Sequence, residues 1–459
     1  MAPPFLPRLF LCLIVSITSI HTPPPAEPPP IHNYPFVAIW NAPTDTCEKL
    51  HIELDLAAFK AVTTPAAVPG QYLTIFYEHR LGLYPKVGLD EGEQYHGGIP
   101  KKELLKKHLS KAQSQIDHYI PQDSPGLAVI DWESWRPLWD QNWGSKRIYQ
   151  KLYIDFTKKK NPKLSSENIS ELVKKQFEED ARRFMEKTIR LGIRMRPSRR
   201  WGFYLFPACY NYGWEKPGYT GKCSTKTKRQ NNQLLWLWRD STALFPSIYL
   251  SSTLRNSPHV KLFVRNIVKE AQRVAEQPKH PYMVPIYVYS RPVYRDQIQK
   301  FLTQMDLVST VGEAAALGAS GIIMWGGSKD FNSKVLTAFS LDQYASSRHG
   351  TSTVNPYIAN ATAAAMLCSQ VLCQSNGRCL RKDSDSSHYL HLNPAHFTIR
   401  RADEKYVVIG LPSSGDLQAW AQHFTCQCYA GRKCSPRLTY PKTIKHIGLA
   451  KRSGARMDP

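Results

Sequence analysis

The sequence predicts an α/β chain, a parallel β/α barrel followed by a small cysteine-rich module, and three observations carry that prediction. Short apolar, β-like runs alternate with stretches of helical periodicity through most of the chain, the pattern of strand–helix units around a parallel sheet. Several of these runs end in acidic or aromatic residues, at the strand ends where a barrel carries its chemistry. Six of the 10 cysteines crowd between positions 368 and 434, a density that belongs to a disulfide-stapled module.

Taken in order, the chain opens with Arg8 ahead of an apolar stretch over 9–20, too short for a membrane span and suited to a signal peptide ending near residue 22. The β-like runs are 36–42 (FVAIWNA), 73–78 (LTIFYE), 126–133 (GLAVIDWE), 201–207 (WGFYLFP), 244–251 (LFPSIYLS), 285–290 (PIYVYS) and 321–327 (GIIMWGG). Helical periodicity falls over 102–119, 170–191, 260–275 and 307–317. These elements define a barrel domain over 35–350. The helix over 170–191 carries Glu178, Glu179, Asp180, Arg182 and Arg183 and is expected outside, with a solvated face. Trp132, Trp135, Trp139 and Trp143 recur at spacings of three and four, which reads as helix packing, with a sugar platform as the alternative. A link over 351–356 then leads to the module, placed at 360–440. Its Cys-x4-Cys-x5-Cys and Cys-x-Cys-x5-Cys spacings resemble an epidermal-growth-factor-like module, and without C-x-x-C pairs disulfides are favoured over zinc.

At 459 residues and 42% apolar, the chain can bury a large core. No stretch after the signal is long enough to span a membrane and the tail after Lys442 is basic, so a soluble secreted or vesicle-lumen protein is expected. With Cys12 lost in the signal, nine cysteines remain, and the odd count leaves one unpaired or paired between chains. Asn168 and Asn360 open glycosylation sequons. Sixty basic residues against 37 acidic give a net charge of +23. Secretion and disulfides argue against nucleic acid, and point to an anionic polysaccharide or a cell surface.

The run 126–133 carries the chemistry. Side chains at i and i+2 of a strand share a face, roughly 6–7 Å apart along the chain, so Asp131 and Glu133 face the same way. At a partly buried strand end, repulsion and desolvation raise the pKa of one, leaving a protonated acid beside a carboxylate. A solvated strand end without function is the plain alternative. No metal or cofactor is called for by this pair.

The motifs WNAPT at Trp40, TIFY ending at Tyr77, GLAVIDWE-x-WRP, WGFY-x-FP-x-CYN, WLW followed by ALFPSIY, GASGIIMWG and CSQVLC together resemble the animal hyaluronidases, the sperm-surface type most of all. The resemblance covers 35–434. It implies a distorted β/α barrel with an epidermal-growth-factor-like module, and internal cleavage of hyaluronan at β-1,4 bonds after N-acetylglucosamine. By resemblance Glu133 is the proton donor and Asp131 its partner, Tyr204, Tyr249 and Trp325 shape the subsite for the N-acetyl group, and Tyr77 lines the substrate. Tyr249 is expected to take part in catalysis through its hydroxyl. Tyr204 and Tyr249 as plain core residues are the alternative. Two acids on one strand face cannot flank a scissile bond, so the nucleophile is expected to be the substrate's own acetamido oxygen, with retention of configuration.

The chain departs from the family pattern in three places. Ala208 stands where the family has Asp, and Ile267 where it has Arg, although Arg265, Glu270 and Arg273 of that helix match. Cys47 matches a cysteine whose usual partner lies near Thr337, so one staple typically worth about 2–5 kcal/mol is missing. The remaining pairs implied are Cys209–Cys223, Cys368–Cys379, Cys373–Cys426 and Cys428–Cys434. The expected function is a monomeric, endo-acting hyaluronan hydrolase, in an acrosomal or cell-surface setting by resemblance. A hyaluronan-binding protein without turnover and a chondroitin-preferring hydrolase are the alternatives.

Overall fold

A computed structural model describes residues 23–326, 353–438 and 447–448, except 43, 50–54, 65–67, 89–91, 164, 279 and 403–404. The signal segment and Thr337 lie outside the described residues, as does the side chain of Cys47, whose backbone belongs to helix Thr44–Lys49.

The apolar runs form parallel strands buried on both sides, which is why they read as near-continuous apolar stretches rather than as alternation. One sheet orders Ala61–Thr63, Val37–Asn41, Gly321–Trp325 and Tyr287–Ser290; the other orders Leu73–Tyr77, Gly126–Asp131 and Arg199–Phe203. Two seams join them into a distorted ring. At one, Thr63 Oγ1 donates to Leu73 O at 3.1 Å in place of a ladder. At the other, the run expected as a strand over 244–251 supplies only single bridges, Tyr204 to Phe245, Leu244 to Ile286 and Ser247 to Tyr289. Pro246 has no N–H to give a ladder, and Gly202 is packed so closely on the Ala243 carbonyl that a Cβ would come within 2.2 Å.

Ile39, Ile75, Val129, Phe245, Tyr289 and Ile323 fill the ring's interior. Around it pack helices Leu105–Tyr119, Ser166–Met195 and His259–Ala275, burying stripes such as Val173, Phe177, Ala181 and Phe184. The stretch over 307–317 is a helix interrupted by a π turn at Val308–Gly312. At the N-terminal rim, buried Arg199 donates to the carbonyls of Gln71, Tyr72 and Ser124 at 2.7–2.9 Å and ties two strand entrances together.

Two expectations need correction. Asp180 is not on a solvated face; it is buried, accepting from the Tyr153 hydroxyl and from Arg183, both at 2.9 Å. The tryptophans at 132–143 occupy no α-helix but a winding segment with a short 3-10 turn at Trp139–Gln141. Trp132 and Trp135 both stack on Tyr84 inside the core, Trp139 packs edge-on to Phe177, and Trp143 is 60% exposed.

Beyond the barrel, helix Asn355–Cys373 is buried almost all round, so residue 360 falls inside it. Strand Gly377–Arg381 pairs antiparallel with Phe424–Cys428, and Phe397–Ala402 with Lys405–Gly410. Disulfides Cys368–Cys379 and Cys373–Cys426 staple the helix to the first of these strand pairs; Cys428–Cys434 closes the end and Cys209–Cys223 lies in the barrel.

Candidate active site

The central strand of the three-stranded sheet sets the site. Gly126–Asp131 is flanked in register by Tyr77 opposite Asp131 and by Phe203 opposite Ile130, so its carboxyl end opens at the C-terminal rim. The strand stops at Asp131, two residues before the expected end. Trp132 turns into the core, and Glu133 emerges past the strand yet meets Asp131 in one pocket of about 100 Å³. Tyr204, Tyr249, Trp325, Ile75, Val129 and Tyr289 complete its lining.

The aromatic walls hold one another in place. Tyr249 stacks on Trp325 with centroids 6.1 Å apart and 20° between planes, and Tyr204 lies edge-on to Tyr289 at 5.0 Å. The Trp325 indole N–H donates to the Tyr77 hydroxyl at 3.2 Å, and the Tyr204 hydroxyl donates to Ser247 Oγ at 3.3 Å. The Arg291 guanidinium lies 5.3 Å from the Trp325 ring and 5.8 Å from the Tyr249 ring.

Electrostatics follows from burial. Loss of water pushes the Asp131 carboxyl well above the usual carboxylate range, and the charges of Glu133 and Glu78 add to the push. Burial also raises Glu133, although this residue reaches solvent and the nearby charges of Arg136 and Lys146 pull it back toward ionisation. The two carboxyls lie close enough for each to act on the other's hold on a proton. A protonated Glu133 beside an ionised Asp131 was the expectation; both acids are raised instead, the deeper Asp131 more firmly, so the pair holds a proton between them. Desolvation likewise raises the Tyr204 and Tyr249 hydroxyls, which stay protonated as donors. Lys146, lowered to about 8 chiefly by burial, donates to the Glu133 carbonyl and fixes the turn beyond the strand.

Reasoning from residues missed several members of this site. Glu78 accepts from the Ser134 N–H at 3.0 Å and pairs with Lys86 at 2.9 Å, bringing a third carboxylate near the acids. Its position directly after Tyr77 at a strand end was the available signal. Asn41 ends its strand fully buried, with neither side-chain polar atom partnered among the described residues. Tyr289 and Arg291 follow from the strand end of PIYVYS in the same way.

A hyaluronidase family model matches residues 25–438. The chain belongs to the hyaluronidase family, a family of glycoside hydrolases. It is 45% identical over 419 residues to hyaluronidase PH-20 of Macaca fascicularis, covering 91% of this chain and 81% of that one. It is 44% identical over 418 residues to hyaluronidase-1 of Bitis arietans, covering 89% and 91%. Among solved structures, bee venom hyaluronidase in complex with a hyaluronic acid tetramer superposes with a TM-score of 0.61 at 29% identity, over 71% of this hyaluronidase and 98% of that chain. The likeness to the uncomplexed bee venom enzyme is similar, with a TM-score of 0.60.

Proposed function

We propose that this hyaluronidase hydrolyses hyaluronan internally, at the β-1,4 bond following N-acetylglucosamine, with retention of configuration by substrate assistance. The observation that carries this reading is the meeting of Asp131 and Glu133 in one pocket walled by Tyr204, Tyr249 and Trp325. As substrate binds, the proton held by the pair passes from Asp131 to Glu133, the acid nearer solvent, which gives it to the glycosidic oxygen as the bond to the anomeric carbon breaks and leaves Asp131 ionised. The acetamido carbonyl oxygen of the same sugar bonds that carbon and forms an oxazolinium-like intermediate. Asp131 takes the acetamido N–H and offsets the positive charge that develops, and the Tyr249 hydroxyl donates to the acetamido oxygen. Tyr204 and Trp325 hold the ring, and Tyr77 holds Trp325. Water then attacks the anomeric carbon while Glu133 takes its proton, which reopens the acetamide and restores the acid.

Four disulfides support a secreted or vesicle-lumen setting, and an acrosomal one remains part of this reading. No helix among the described residues is long and apolar enough to cross a membrane. The proposal also takes 35–350 as the barrel domain and 360–440 as an epidermal-growth-factor-like module, in a chain that acts as a monomer. Asn168 is exposed near the start of its helix and suits a glycan, whereas Asn360 is half-buried and accepts from the Leu392 N–H at 3.1 Å.

Sizing the products from purified protein and hyaluronan tests the reading: oligosaccharides that disappear in Glu133→Gln establish hydrolysis, and retention of intact polymer means binding alone. Unsulfated chondroitin, which differs in the configuration of one hydroxyl, is run in parallel to establish preference.

A further inference from the structure

Glu133 stands past the end of its strand, so no ladder fixes where its carboxyl points. A clasp from the chain beyond strand Leu73–Tyr77 fixes it instead. Glu78, the next residue, accepts through one carboxylate oxygen from the Ser134 N–H at 3.0 Å and from the Ser134 hydroxyl. Its other oxygen pairs with Lys86 at 2.9 Å. Beside this centre the Trp135 N–H donates to the Tyr84 hydroxyl at 3.3 Å, and the Trp135 indole N–H to Pro85 O at 2.9 Å. Arg136 and Lys146 donate to the Glu133 carbonyl, and Lys146 also to Ser134 O at 3.2 Å. The two cations thus hold the carbonyls of the turn that carries Glu133, and Glu78 holds its donors. Glu78 itself stands outside the lining of the pocket where Asp131 and Glu133 meet.

We propose that Glu78 is a positioning residue for the reaction: it fixes the Glu133–Ser134 turn so that the Glu133 carboxyl stands beside Asp131, and it sets an anion behind the pair. A carboxylate suits both tasks. Two donors converge on one oxygen, and an ionised acceptor binds them about twice as strongly as a neutral one. Burial does most to raise both acids, and the Glu78 charge adds to that push while Arg136 draws both back. Tyr204, Tyr249 and Tyr289 across the pocket are neutral, as are Tyr212 and, beside Glu78, Tyr84 and Tyr149, since burial raises every one of these hydroxyls. The field at the pair is therefore set by Glu78, with Lys86 behind it, against Arg136 and Lys146. With the anion gone, the proton leaves the pair at lower pH.

This inference rests on the proposed hydrolysis for what Glu133 does, and its test follows the proton as well as turnover. Glu78→Gln keeps an oxygen for Ser134 but removes the charge, so the alkaline limb of kcat/KM for hyaluronan oligosaccharides is expected about 0.3–1 lower in pH. Lys86→Met removes the opposite charge and leaves Glu78, and should move that limb upward, whereas an ion pair that merely held the loop would not separate the two variants by sign. Glu78→Leu loses the acceptor too; kcat should fall about tenfold with KM nearly unchanged, the mark of a residue that substrate does not touch. Infrared spectroscopy of the carboxylic acid stretch against pH, assigned by its absence from a variant carrying Asp131→Asn and Glu133→Gln, separates the pair from Lys146, which titrates at about 8. That band should titrate lower in Glu78→Gln. A band that Glu78→Gln leaves in place overturns the inference, and so does an active wild-type protein whose kcat survives Glu78→Leu intact. A shifted band alongside a wild-type protein that cleaves nothing overturns the hydrolytic reading and leaves the hold of Glu78 on the pair standing.

Discussion

The indole N–H of Trp325 reaches across the barrel mouth to the hydroxyl of Tyr77 at 3.2 Å, joining the ends of strands that belong to two different sheets. The bond fixes the plane of a ring that also stacks on Tyr249. Tyr77→Phe is therefore expected to leave the acid pair intact while loosening the sugar platform. KM for hyaluronan oligosaccharides should rise about two- to tenfold with kcat nearly unchanged, the cost of one neutral hydrogen bond. Steady-state kinetics on defined oligosaccharides decides it, and an unchanged KM would mean that packing alone orients Trp325.

Asp131→Asn separates the catalytic cost of this acid from its structural one. Turnover should fall by about 10²–10⁴, since the group that balances charge on the acetamide is gone. Stability should move the other way. The folded pKa of Asp131 lies above its ordinary value of 3.8, so its effect on stability is neutral below that pH, where both states are protonated. It turns unfavourable as pH rises toward the folded value, because the unfolded chain ionises first. The melting temperature of the variant should match the wild type near pH 3.8 and exceed it at pH 7. A variant less stable at pH 7 would count against a buried, proton-holding Asp131.

How much of this was legible before the structure differs from element to element. The parallel barrel could be read because strands such as Gly126–Asp131 are buried on both faces and so leave unbroken apolar runs. Asp131, Glu133, Tyr204, Tyr249 and Trp325 could be found because each lies at or just past such a run, and they meet in one pocket. The run over 244–251 misled, since its composition suits a strand while Pro246 and the bridges around it allow no ladder. The tryptophans at 132–143 misled through their spacing: i, i+3 and i+4 recurrence suits a helix, but side chains stacking on Tyr84 can hold a non-helical segment equally well. Glu78 stood at a legible strand end directly after Tyr77, but its nearness to the acids left no local pattern, because residues far apart in sequence build those surroundings.

His108 should make the barrel sensitive to mild acid. Its ring accepts from the Leu83 N–H through Nδ1 at 2.9 Å and faces Thr188 Oγ1 through Nε2 at 2.8 Å, a fully buried arrangement that needs the neutral ring. Burial lowers its pKa from 6.5 to about 4. The unfolded chain takes up a proton below pH 6.5 and the folded chain does not until about pH 4, so this contribution is complete above pH 6.5 and is lost as pH falls through that window. The loss amounts to at most about 3 kcal/mol. Denaturant titrations at several pH values should show a shallower slope between pH 6.5 and 4 for His108→Gln than for wild type, whatever the variant's absolute stability.

Glu313 binds the barrel to the C-terminal segment. Its Oε1 accepts from Arg265 Nε and Arg381 Nη2, each at 2.6 Å, with all three side chains at most 3% exposed. Arg265 belongs to the barrel helix His259–Ala275 and also donates to Ser386 O, while Arg381 ends strand Gly377–Arg381 and also donates to Ser384 O. One carboxylate therefore balances two buried guanidiniums that together hold the loop over 384–386. Glu313→Gln keeps the shape but removes the buried counter-charge of both cations, leaving Arg265 only the exposed Asp385 at 3.6 Å, and removing one partner of a buried ion pair costs about 3–5 kcal/mol. Because the charges lie on both sides of the junction, the barrel and the cysteine-rich segment should lose stability together, in a single transition shifted to lower denaturant. A second transition left at the wild-type midpoint would show instead that the disulfide-stapled segment stands without the barrel, and that this cluster is only a local contact.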